Sequence, residues 1–210
     1  MLTLPQAVLL LSLHDERGTI HPSAYIALDM ALCGAIVAEL RVRRVIGIRG
    51  GQLMPREPKP TGDELLDRAW EILQTVPGEG GATAWVRHLK RHLPDVRERV
   101  IEQLVAREVL VREVRRRRFL DAARLLPTRD AGPERELEAR LRATLLEGGR
   151  VDARMGCLVS LVCAANLLQV LFDGPARVQA RRIAMPVMLR DPVGSAVAEW
   201  LAWAEGTSDS

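Results

Sequence analysis

Apolar residues recur at steps of three and four along most of this chain, the period of helices that bury one face. Leu2 to Leu13 is apolar almost throughout. Thr3 with Gln6 three residues on has capping-box spacing, and Pro5 is tolerated in a first turn, so a short buried helix is expected. A turn at Arg17-Gly18 precedes a second helical pattern from Ser23 to about Arg41, with Ile26, Met30, Cys33 and Val37 as its buried stripe. Val42 to Ile48 is short and β-branched, and Gly50-Gly51 turns it back toward Gln52-Leu53-Met54 as a small hairpin. After the loop Pro55–Pro60, Thr61 and Glu64 again have capping-box spacing, opening a helix through Leu73. A loop at Pro77–Gly81, a helix at Ala82–His92 and a helix from Pro94 to about Arg107 follow, the last with Val96, Val100 and Leu104 on one face.

Val109 to Val114 alternates apolar with charged residues and runs into Arg115, Arg116, Arg117 and Arg118, then Phe119 and Leu120. This predicts a second hairpin with a basic tip. Beyond a loop at Pro127–Pro133, helices are expected near Glu134–Leu146, Val151–Phe172, Pro175–Met188 and Val193–Ala204, with Trp200 and Trp203 on one face of the last. The fold class is mainly α: a single compact helical domain over residues 1–205 with short β-hairpins, and a disordered tail at 206–210.

Two apolar stretches raise the question of a membrane. Leu2–Leu13 has no basic stretch before it, and His14-Asp15-Glu16-Arg17 stands where a signal peptide would carry small residues. Met155 to Phe172 is uncharged for 18 residues, the lower limit for a span. Gly156, Ser160, Asn166 and Gln169 dilute it, and a buried central helix is the better reading.

Composition narrows the class further. Of 210 residues, 48% are hydrophobic and 27% charged, as in a soluble globular protein. Seven aromatics supply too few rings for a stacking nucleic-acid platform. Three cysteines form no disulfide framework and suit a reducing compartment. Cys157 and Cys163, six apart on a helix, point in different directions and read as small core residues.

Signals of catalysis are missing. The chain lacks G-x-G-x-x-G, a Walker loop, G-x-S-x-G and H-E-x-x-H, so no enzyme and no cofactor are expected. His88 and His92 could share a helix face, but Arg87, Lys90 and Arg91 crowd the same turns, and a solvated basic helix is expected rather than a metal site. The charge is distributed unevenly instead. Arg107 to Arg129 holds eight arginines and three acids, whereas the whole chain carries only +3. Such a concentration suits an anionic partner, each arginine contributing about 1 kcal/mol near an anionic membrane; a solvated turn or a subunit contact is the plainer alternative. Arg97 and Arg99, in Val96-Arg97-Glu98-Arg99, open a helix whose N-terminal amides favour phosphate, although Glu98 and Glu102 could neutralise them.

In order along the chain, several segments resemble the Golgi phosphoprotein-three family. They are Leu2-Thr3-Leu4 through Leu9-Leu10-Leu11-Ser12-Leu13, Ala31-Leu32-Cys33-Gly34-Ala35 with Ala38-Glu39-Leu40, Pro60-Thr61-Gly62-Asp63-Glu64-Leu65-Leu66-Asp67, and Val96-Arg97-Glu98-Arg99-Val100 with Leu104-Val105. The resemblance implies a mostly helical domain with a projecting β-hairpin, and no catalysis. In eukaryotic members it implies phosphatidylinositol 4-phosphate binding at the Golgi surface and linkage of sorted enzymes to coat proteins. Of the family's lipid pocket, only the arginine of the V-R motif is kept, as Arg97. The second-helix arginine falls on Cys33, the tryptophan near Ala24 or Tyr25, and the other basic residue on Pro94. The long basic N-terminal tail of those members has no counterpart before Leu2, so the chain resembles a minimal, bacterial member.

The resulting expectation is a cytoplasmic peripheral protein on the inner face of a membrane. Arg97 and Arg99 would bind an anionic phospholipid headgroup, phosphatidylinositol 4-phosphate or a bacterial anionic lipid. Arg115–Arg118 with Phe119 and Leu120 would press on the bilayer, and client membrane proteins would be further partners. Alternatives are a winged-helix-like nucleic-acid-binding or regulatory module, disfavoured because no helix exposes the side chains base readout needs, and an interaction scaffold that forms a homo-oligomer through the hairpin.

Overall fold

A computed structural model describes residues 1–14, 18–49, 52–56, 60–76, 81–117, 120–149 and 151–206. Its helices are α1 (Leu4–Leu10), α2 (Pro22–Tyr25), α3 (Leu28–Val42), α4 (Glu64–Leu73), α5 (Ala82–His92), α6 (Val96–Ala106), α7 (Gly132–Leu146), α8 (Ala153–Ala164), α9 (Leu168–Leu171), α10 (Gly174–Arg190) and α11 (Pro192–Gly206). Three antiparallel strand pairs complete the described residues: β1 (Leu13–His14) with β2 (Thr19–Ile20), β3 (Ile46–Arg49) with β4 (Gln52–Pro55), and β5 (Glu113–Arg117) with β6 (Leu120–Leu125).

The bundle is organised around α3. Apart from Asp29, its residues from Leu28 to Leu40 are buried, as expected of a helix apolar on all sides. It packs against α1, α5, α6, α8 and α11. Gly34 lets two of these come close: a Cβ there would lie 2.7 Å from Val197 Cγ2 and 3.2 Å from Leu161 Cδ2. The expected capping box of α1 is formed, Thr3 Oγ1 accepting from the Gln6 amide and Gln6 Oε1 from the Thr3 amide.

Several elements depart from the sequence reading. The second helical pattern breaks at Ile26–Ala27 into α2 and α3, and Ile26 is exposed rather than part of the buried stripe. Asp63, not Thr61, caps α4; its carboxylate accepts from the Leu66 amide, and Thr61 bonds to Asp67 instead. The uncharged run Met155–Phe172 is interrupted after Ala164. Asn166 takes a φ of +57°, a left-handed conformation asparagine tolerates, and the chain resumes as four-residue α9. The twelve residues of α8 reach only about 18 Å, well short of a bilayer core of about 30 Å. Among the described residues no helix is long and apolar enough to cross a membrane. Pro186 does not end α10, which continues to Arg190. Trp200 packs on the core while Trp203 is exposed. α11 extends through Gly206, and 207–210, the remainder of the expected tail, lie outside the described residues.

The β5–β6 hairpin makes its main contacts within itself, with an irregular register between Arg115 and Arg117. Its base is fixed by Gly18, whose carbonyl accepts from the Leu126 amide at 2.7 Å. Gly18 combines a φ of +58° with an approach that would put a Cβ 2.7 Å from the Pro127 nitrogen, so only glycine fits.

Candidate functional site

Val96, Val100 and Leu104 are fully buried and dock α6 on α1 and α3, which orients the first turn of α6. Arg97 leaves this turn toward α3, and its Nε donates to Asp29 Oδ1 at 2.8 Å. Lys90, in the last turn of α5, donates from Nζ to Asp29 Oδ2 at 2.9 Å. The Arg97 guanidinium also lies over the Tyr25 ring, 4.9 Å from its centroid, in cation–π range. These three charged side chains are only 23% to 31% exposed, whereas Tyr25 and its neighbour Ile26 are each 60% exposed. Two cations thus converge on one carboxylate beside two projecting apolar side chains, leaving the group one positive charge in excess.

One turn beyond Asp29, Cys33 is fully buried. Burial pushes its thiol up to about 12, with smaller opposing effects from Lys90, which lowers it, and Asp29, which raises it. It forms the apolar back of the site. Ala24 is buried and Pro94 is exposed. Of the two positions where the family's tryptophan could fall, Tyr25 is therefore the one that presents a ring beside Arg97.

Arg99 does not join this group. It is two residues and so about 200° around the helix from Arg97, and it pairs with Asp95 at 2.9 Å. Two arginines of the basic stretch are paired locally. Arg112 pairs with Glu98 and lies 3.8 Å from Glu102, and Arg129 lies 3.1 Å from Glu108. Arg115, Arg116 and Arg117 belong to β5 and Leu120 opens β6, while Arg118 and Phe119 lie outside the described residues.

Sequence reasoning grouped Lys90 with the solvated basic face of α5 and overlooked Asp29. The available signal was Asp29 itself, an acid at the head of a helix that carries no other charge before Glu39. The histidines of α5 behave as a structural pair. Their rings lie 4.1 Å apart, His92 Nδ1 bonds to the His88 carbonyl, and His88 Nε2 is 3.0 Å from Thr75 Oγ1. Among the described residues no group of three or more His, Cys, Asp or Glu side chains is placed to hold a metal ion. All three cysteines are free. Cys157 is buried and accepts from Arg41 at 2.8 Å, whereas Cys163, expected in the core, is only half-buried.

The mainly helical domain and the hairpin after α6 agree with the sequence resemblance, and a family model matches nearly the whole length, residues 4–202. The chain belongs to the Golgi phosphoprotein 3 (GPP34) family.

Proposed function

We propose that the chain is a non-catalytic peripheral membrane adaptor that binds a phosphate-bearing lipid headgroup at Lys90 and Arg97. The observation that carries this reading is the convergence of these two cations on the single carboxylate of Asp29, beside exposed Tyr25 and Ile26. A headgroup phosphate takes the place of Asp29 as acceptor. It is bound by the Arg97 fork, the Lys90 ammonium and the first-turn amides of α6, a helix start suited to anions. Tyr25 and Ile26 enter the interfacial layer, where amphipathic and apolar side chains are stable. Lys90 compensates for the cations that the family's pocket carries where this chain has Cys33 and Pro94. The hairpin arginines, Arg115 to Arg118, add sequence-independent attraction to the same anionic surface, and client membrane proteins are held on it.

Cosedimentation with phosphatidylcholine vesicles doped with phosphatidylinositol 4-phosphate, phosphatidylglycerol or cardiolipin tests the reading. Lys90→Gln and Arg97→Gln should each weaken binding about fivefold, the equivalent of about 1 kcal/mol per cation. Asp29→Asn should strengthen it, because the internal competitor for both cations is lost. If Asp29→Asn and Arg97→Gln both sediment as the wild type does, the headgroup site is wrong.

A further inference from the structure

A cavity of about 330 Å³ opens between the N-terminal end of α1, α7 and the start of α8, apart from the group around Asp29. Its floor is apolar: Leu4, Ala7 and Leu158 are buried there, and half-buried Leu137 forms one wall. Three arginines, Arg107, Arg140 and Arg154, and one acid, Glu136, also line it, so its polar edge carries net positive charge.

The three guanidinium groups differ in how they are satisfied. Arg154 is committed to the buried Glu39 carboxylate at 2.7 Å and to the Leu2 carbonyl at 2.8 Å. Arg140 has Asp152 at 3.7 Å, beyond hydrogen-bond length. Arg107 donates to two neutral oxygens, the Met1 carbonyl at 3.2 Å and Gln6 Oε1 at 2.7 Å, and has no carboxylate partner among the described residues. Gln6 is itself held by Gln103, which donates in turn to Asp63, so Arg107 is positioned by a fixed network.

We infer that this cavity binds a single-chain fatty carboxylate, its tail on the Leu4–Ala7–Leu158 floor and its head on Arg107. An apolar pocket with few, converging polar groups is the usual form of a small-molecule site. Removal of the chain from water drives entry, and the guanidinium selects an anionic head, since a charge-assisted bond is stronger than one to a neutral oxygen. At about 30 Å³ for each water-sized group, the space holds about ten non-hydrogen atoms, the size of octanoate. The inference does not depend on the membrane reading, because none of its residues belongs to the Asp29 group or to the hairpin.

Titration calorimetry with octanoate, octanol and acetate separates tail from head. Octanoate should bind the wild type once, at least about tenfold more tightly than octanol or acetate. Arg107→Gln, a change at an exposed side chain, should reduce octanoate to the affinity of octanol without altering octanol itself. Leu137→Trp, filling the cavity from its wall, should abolish both, with thermal unfolding verifying that each variant is folded. Absence of saturable octanoate binding, or octanoate binding indifferent to both substitutions, overturns the assignment.

Discussion

Replacing Glu39 by glutamine removes one negative charge from the centre of the bundle while keeping the shape of the side chain. The carboxylate is fully buried on α3 and accepts four hydrogen bonds. They come from the Leu4 amide at 2.8 Å, Arg43 Nε at 2.8 Å, and Arg154 Nη1 and Nη2 at 3.2 and 2.7 Å. Through them α1, α3 and α8 are joined at one point. A carboxamide turns one acceptor into a donor facing these donors and leaves Arg154, itself largely buried, without a counter-charge. Removing one member of a buried pair costs about 3–5 kcal/mol. At about 2–4 °C per kcal/mol for a chain of this size, the melting temperature should fall by about 6–20 °C. Urea unfolding monitored by circular dichroism checks the free energy directly, with an unchanged slope showing that the folded state stays compact. The double variant Glu39→Leu with Arg154→Leu removes both of these charges; the Leu4 amide and the Leu2 carbonyl lose their partners, while Arg43, a third exposed, turns to water. It should lie within about 2 kcal/mol of the wild type, less destabilised than Glu39→Gln alone. A loss under about 1 kcal/mol for Glu39→Gln, or additive losses in the pair, would refute this account of the cluster.

Two further outcomes follow from buried or tethered polar groups. Asp67 accepts from the Thr61 amide at 2.8 Å and the Thr61 hydroxyl at 2.7 Å, and the amide above all holds its carboxyl below the usual 3.8. A carboxyl held lower in the folded state stabilises above its unfolded value and loses that contribution as pH falls through the folded one. Urea midpoints should therefore decline below about pH 4, and Asp67→Asn should flatten that part of the decline. The Ser160 hydroxyl is buried with no hydrogen-bond partner among the described residues, so Ser160→Ala should raise stability by up to about 1 kcal/mol in the same assay. It should also make Gly194→Ala less costly, since a Cβ on Gly194 would otherwise meet Ser160 Oγ at 1.9 Å, leaving Ser160 Cβ at 3.2 Å and Met188 Cγ at 3.3 Å to give way.

Local devices were readable from residue order. The Thr3–Gln6 box, the stripe Val96–Val100–Leu104 and the bounds of α5 depend on interactions spanning three or four positions, and all are present as read. A β-hairpin after α6 was legible for the same reason, since alternation is a local pattern, but its register was not. The first strand is Glu113–Arg117 rather than Val109–Val114, so Arg115, Arg116 and Arg117, read as the tip, lie within β5. Errors arose where two local options were close in energy. A run as uniform as Met155–Phe172 has no internal marker to show that the chain turns at Asn166, and Asp63 competed with Thr61 for the start of α4. Ile26 fits a helical stripe by spacing, yet the break before α3 turns it outward.

Composition, period and short motifs were sufficient, on their own, to determine a mainly helical domain and its family. Which groups meet Arg97 was decided by packing alone. Asp29 lies 68 residues from Arg97 and 61 from Lys90, and no spacing rule reaches that far. The same holds for Glu39 and Arg154, 115 residues apart, and for the cavity between α1, α7 and α8. Helices form from bonds between near neighbours, but their mutual placement follows from burying apolar faces. Charge partners are set by whatever that burial brings within reach.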